Sequence, residues 1–194
     1  MNLEKLARFL SLFLGPPVWF SILIVAALFK SGISNQNLNI LLGSLFILLI
    51  IIPIGYIYVA VTMGKVTAWD LPKRQERYKF LVLIGINSLI SIILIYFLGN
   101  QFLFNLGLIL ILLLLIISLI TLFWKISFHS SMGVTGVILL NFLFGWKLYF
   151  LYLAILLIFW SRLKLKRHNL YQLSAGVLVS GFIILVSLIY LGYL

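Results

Sequence analysis

Residues 129–162 read HSSMGVTGVILLNFLFGWKLYFLYLAILLIFWSR, and the number of helices they hold decides the architecture. Between the flanking His129 and Arg162 lie about 30 mostly apolar residues, too many for one membrane span of about 20 and few for two. Gly145-Trp146-Lys147 stands near the middle and combines a helix breaker, an interfacial aromatic and a charge. The pattern therefore predicts two short helices, about Ser130–Phe144 and Leu148–Ser161, joined by a tight turn. A single long helix is the alternative.

Around this stretch the chain has 194 residues, 64% of them hydrophobic and 9% charged. Soluble domains are about 45–50% apolar and about 25% charged, so the composition is that of an integral membrane protein. At about 20 residues per crossing there is room for about six or seven spans and for no separate soluble domain. Only three acids occur, Glu4, Asp70 and Glu76. That scarcity argues against carboxylate-built metal sites. The absence of cysteine excludes disulfides, thiolate metal sites and thiol nucleophiles. No metal and no cofactor is expected. The net charge of +11 fits basic loops against lipid phosphate or an anionic substrate better than it fits nucleic acid.

Lys5 and Arg8 before an apolar run through Phe29 imitate a secretory signal, but the run has the length of a full span and more spans follow. It is read as an uncleaved first helix entered at Gly15-Pro16-Pro17. Further spans are expected at about Ile40–Val61, with a kink at Pro53, at about Phe80–Leu98, at about Phe102–Phe123 and at about Leu173–Leu191. With the short pair this gives about seven helices in an all-α, polytopic transmembrane bundle, a single domain over 1–194. Trp19, Trp69, Trp124, Trp146 and Trp160 fall near span ends and read as interfacial anchors.

Parity then matters. With seven spans, the N-terminus and the loops 62–79, 124–129 and 162–172 share one side, which collects 12 of the 14 basic residues. The positive-inside rule makes that side cytoplasmic, in the plasma membrane of a prokaryote. Both histidines of the chain fall in these loops. Lys125 to His129 opens one helix, Arg162 precedes His168 by six residues, and the third loop contributes Lys73, Arg74 and Arg77. Basic loops converging at a membrane surface suit a phosphate whose lipid tail stays in the bilayer. Arginine suits the work because its planar fork bonds phosphate oxygens two at a time. Lys65, Lys79, Lys164, Lys166 and Arg167 are explained equally well as topology signals.

Ser161-Arg162, five residues, His168, three residues and Gln172 resemble the S-R-x5-H-x3-D motif of the type 2 phosphatidic acid phosphatase superfamily. Ser127-Phe128-His129 resembles the end of its P-S-G-H motif, and Arg77-Tyr78 the close of its K-x6-R-P motif. The resemblance covers about residues 40–192, a six-helix core, and leaves residues 1–39 as an added N-terminal helix and loop. It implies a metal-independent phosphohydrolase acting on an isoprenoid or phosphatidyl phosphate or diphosphate. His168 would be the nucleophile and His129 the acid and base, while Lys73, Arg74, Arg77, Lys125, Ser127 and Arg162 would hold the phosphate.

The chain departs from those motifs at defined places. Asp70 stands where the first motif has lysine, Ile126 and Phe128 replace proline and glycine, and Gln172 replaces the aspartate. One helical turn from His168, Gln172 lies on the same face. Its carbonyl can fix the ring tautomer but cannot supply the charge that stabilises an imidazolium. A catalytically silent member that binds or moves anionic lipids is therefore the alternative. An ion-coupled transporter is disfavoured because no span interior carries a carboxylate. The expected partners are a lipid phosphate substrate and membrane lipids; the sequence is silent on oligomeric state.

Overall fold

Gly15-Pro16 interrupts the first apolar run. A computed structural model describes residues 2–194 and places one helix on either side of this break, α1 (Leu3–Phe13) and α2 (Pro16–Lys30). Seven more follow: α3 (Asn35–Phe46), α4 (Ile52–Thr62), α5 (Arg77–Leu98), α6 (Gln101–Phe123), α7 (Phe128–Leu143), α8 (Leu153–Lys164) and α9 (Leu170–Tyr190). Every regular element among the described residues is helical. Side chains mark several starts in the expected way. Asn2, Ser34, Asn100, Ser127 and Asn169 each accept a backbone N–H from the first turn they precede.

Five stretches are long and apolar enough to cross a membrane: Leu3–Lys30, Asn35–Thr62, Arg74–Leu98, Gln101–Phe123 and Leu170–Tyr190. The protein is thus an all-α integral membrane protein. The middle pair forms as two helices and not one, with its turn where the glycine predicts it. Gly145 and Trp146 both take positive φ, and Trp146 N–H closes on Asn141 C=O at 2.6 Å. Asn141 Nδ2 then ties Val137 C=O to Leu148 C=O across the turn. With 16 residues, α7 reaches about 24 Å, and α8 has only 12 residues. Both fall short of a hydrocarbon core of about 30 Å, as expected of a short pair, so the full-length stretches among the described residues are the five above.

The chain divides into two compact units, Ala27–Lys125 and the N-terminal residues through Ala26 together with Ile126–Leu194. The N-terminal helix is no appendage, because α1 packs on α8. The buried residues of α1 are Ala7 and Ser11, small and four apart, which suits a close approach of helices. In the same unit α7 presents Gly133 and Gly136, where a Cβ would collide with Ile158 and the ring of Trp19 respectively. Trp19 is therefore a core residue, 4% exposed, and not the interfacial anchor expected from its place near a span end.

Within Ala27–Lys125, the kink expected at Pro53 has a defined form. Residues Ile47–Ile51 make a π-helical turn between α3 and α4. Ile52 N–H reaches back to Ile47 C=O, and the same register would give Leu48 C=O the N–H of residue 53. Proline has none. Asn87 of α5 supplies the missing donor, with Nδ2 2.8 Å from Leu48 C=O. An unsatisfied carbonyl at this depth would have no water to turn to. Asn87→Leu should destabilise the protein by about 0.6–1.7 kcal/mol. In a Pro53→Ala background, where the helix regains its own donor, the same substitution should cost measurably less. Unfolding in detergent micelles checks this double-mutant cycle; additive effects would contradict the assignment.

Candidate functional site

Parallel packing of α7 against α9 builds the site. Gly176 lies on Ser127 C=O, Ser130 Oγ and Ser131 Oγ, whereas Gly181, further along α9, faces Val134 and Ile138 further along α7. Both helices therefore run the same way, and their N-termini meet at one end. Ser127 N–H donates to Gln172 C=O at 3.3 Å and locks the two first turns together. The start of α7 is satisfied from within. Ser127 Oγ accepts Ser130 N–H, and the hydroxyls of Ser130 and Ser131 both donate to Ser127 C=O.

The third motif owes its spacing to two helix caps in succession. After Arg162, α8 closes with Arg167 N–H on Arg162 C=O at 3.0 Å and Lys166 N–H on Leu163 C=O at 2.9 Å. This is the Schellman arrangement, in which the residue at positive φ is usually glycine. Here it is Lys166, at φ 52°, which costs about 1–2 kcal/mol. His168 follows at once, and Asn169 caps α9 by accepting Gln172 N–H at 3.0 Å. The five residues between Arg162 and His168 are thus one C-cap plus the approach to one N-cap.

His168 is 8% exposed, and its Nδ1 lies 3.0 Å from Gln172 Oε1. Asn169 N–H also points at Oε1, at 3.4 Å. A backbone N–H can only donate, so the atom between them is the amide oxygen and Nδ1 carries the proton. In the neutral ring the lone pair then sits on Nε2. Gln172 consequently does two things: it completes a capping box and it fixes the histidine tautomer. Lys166, Arg167, His168 and Gln172 line a shallow open concavity of about 630 Å³ at this end.

The other expected residues are placed unequally. His129 is half-buried on the first turn of α7, the helix end tied to Gln172. Arg162 is 2% exposed, and its Nη1 donates to Ser11 Oγ of α1 at 2.7 Å. Ser127 lies at the joint of α7 and α9. It is fully buried; its N–H crosses to Gln172 C=O of α9, while its Oγ and carbonyl accept within the first turn of α7. Lys125 ends the other unit and is half-buried.

Arg77, Lys73 and Arg74 belong to that other unit as well. Arg77 is 3% exposed, and its Nε donates to Leu71 C=O at 2.9 Å, where Leu71 itself has positive φ. Glu76 holds the same loop by accepting the N–H and hydroxyl of Thr67. Lys73 is exposed and Arg74 half-buried in a short 3₁₀ turn, Arg74–Glu76. Two features escaped sequence reasoning. Ser11 had a faint signal in the small-residue row of α1, and the Asn169–Gln172 capping box was legible as N-x-x-Q but was absorbed into the motif.

Gly176 permits the whole arrangement. Alanine there would gain up to about 1 kcal/mol of helix propensity, but its Cβ would stand 2.9 Å from the Ser127 carbonyl, a backbone atom. Forcing the helices apart costs about 1–3 kcal/mol. Gly176→Ala should therefore lower stability on balance and weaken amide protection at Ser127, read by thermal unfolding and hydrogen exchange. A neutral variant would contradict the close approach.

Comparison with protein-family models, with curated proteins and with solved structures finds no match to this chain. The functional reading therefore stands on the residues and their geometry.

Proposed function

We propose that the chain is a membrane-embedded phosphohydrolase that removes phosphate from a lipid phosphate or diphosphate through a phosphohistidine. The observation that carries this reading is His168 with Nδ1 held by Gln172 Oε1 at 3.0 Å, in a chain whose second histidine starts the adjoining helix. Convergence of two helix N-termini supports it too, since their partial positive charge favours an anion between them. The exposed Lys166 beside His168 adds to that field.

In this reading His168 Nε2 gives its lone pair to phosphorus while the bond to the lipid oxygen breaks in line. His129, protonated, gives its proton to the departing oxygen, that of an alcohol for a monophosphate or of a lipid phosphate for a diphosphate. It then takes one from the water that attacks the phosphorus–nitrogen bond and frees His168. Arg162 stabilises charge on the equatorial oxygens. Positive-inside counting assigns the site to the cytoplasmic face.

A second reading has its own support. Gln172 already has a task as capping residue and brings no charge to the imidazolium, which fits a silent member that binds anionic lipid. Phosphate release from a panel of isoprenoid and phosphatidyl phosphates, by purified protein in EDTA, separates the two. The proposal expects release, its loss by on the order of a thousandfold or more in His168→Ala, and a trapped phosphoenzyme in the wild type. Gln172→Asp should preserve or raise the rate, whereas Gln172→Leu should lower it by on the order of tenfold or more. Lipid binding without release would favour the silent reading, and full activity in His168→Ala would end the assignment.

A further inference from the structure

Among the described residues, α1 buries two side chains, Ala7 and Ser11, and only Ser11 is polar. Ser11 Oγ accepts from Arg162 Nη1 at 2.7 Å across 151 residues of sequence. Alanine or glycine would satisfy close helix packing at position 11 equally well, so packing alone does not call for the hydroxyl. Its acceptor type is informative. A carboxylate at this place would orient the guanidinium but cancel its charge; a hydroxyl orients it and leaves the charge intact. An arginine meant for an anion needs the second arrangement.

The backbone of Arg162 is fixed on its other side. Its carbonyl accepts Arg167 N–H at 3.0 Å in the cap that closes α8. With the main chain held by that cap and Nη1 held by Ser11, the plane of the guanidinium and the direction of its N–H fork are set.

We propose that Ser11 is a positioning residue for Arg162, so that α1, which lies outside the motif-bearing part of the chain, is a working part of the phosphate site. This rests on the reading that Arg162 holds a phosphate oxygen. The role is orientation, not contact with substrate, and preorganised donors act chiefly on the charge that develops in the transition state.

The test uses the full chain and the lipid phosphate that the wild type hydrolyses fastest, with kcat and KM measured in EDTA and the thermal midpoint alongside. Ser11→Ala should lose about tenfold in kcat with KM changed less than about twofold. Ser11→Thr, which keeps the hydroxyl, should recover to within about threefold of wild type. In an Arg162→Ala background the further change Ser11→Ala should have no added effect, since residues acting as a unit are not additive. Should Ser11→Ala fail to fold, Ser11→Cys, of similar size but a weaker acceptor, takes its place in the comparison. Wild-type kcat in Ser11→Ala, or an undiminished loss when Arg162 is already alanine, overturns the positioning role and leaves the phosphatase reading standing. A wild type that releases phosphate from no lipid overturns the phosphatase reading, and this proposal with it.

Discussion

Close approach of α7 and α9 at Gly176 is the constraint on which the site depends. Two parallel helices side by side place like ends of their dipoles together, which is unfavourable unless the shared end meets opposite charge or strong hydrogen bonding. The chain answers in part with hydroxyls. Ser127, Ser130 and Ser131 form a buried knot of hydrogen bonds around one carbonyl, and Ser127 N–H is given to the facing helix. With three acids in the whole sequence and only Glu4 among them in this unit, the protein brings almost no anion of its own. A phosphate at the converging ends would relieve the arrangement, which gives the geometry a physical reason as well as a chemical one.

Polar side chains elsewhere follow the economy expected in a bilayer. Ser91, Thr121 and Thr135 return their hydroxyls to the carbonyl one turn back in their own helix. These cost little and say little. The side chains that reach out are different: Asn87 repairs the carbonyl stranded by Pro53, Arg77 clasps its loop at Leu71, and Arg162 takes Ser11. Each joins segments that helix propensity alone would leave unrelated. Each therefore defines geometry more than it adds stability, since such bonds are worth only about 0.6 kcal/mol on average in membrane proteins.

Local chemistry explains what was legible in the sequence. Gly15-Pro16 and Gly145-Trp146 act within a turn of themselves, so the breaks they mark could be placed without a fold. Pro53 was legible as a kink but not as a π turn, because its repair comes from Asn87 on another helix. Trp19 reads as an interface residue until Gly133 and Gly136 are seen to make the slot that buries it. Ser127 matched a motif position, but a motif does not reveal that its N–H ties α7 to Gln172 and its Oγ caps α7. The spacing of Arg162, His168 and Gln172 was readable, although its physical basis in two consecutive caps was not.

The histidine proton tests the central claim most directly. Nitrogen-15 NMR of histidine-labelled protein in micelles would show two imidazoles, with His129→Gln assigning them, since the chain has no third. Above its titration, His168 should carry its proton on Nδ1 and its lone pair on Nε2, against the ordinary preference of free imidazole side chains, and Gln172→Leu should reverse this. A wild-type His168 protonated on Nε2, or a tautomer indifferent to Gln172→Leu, would contradict the orientation on which the proposed chemistry rests.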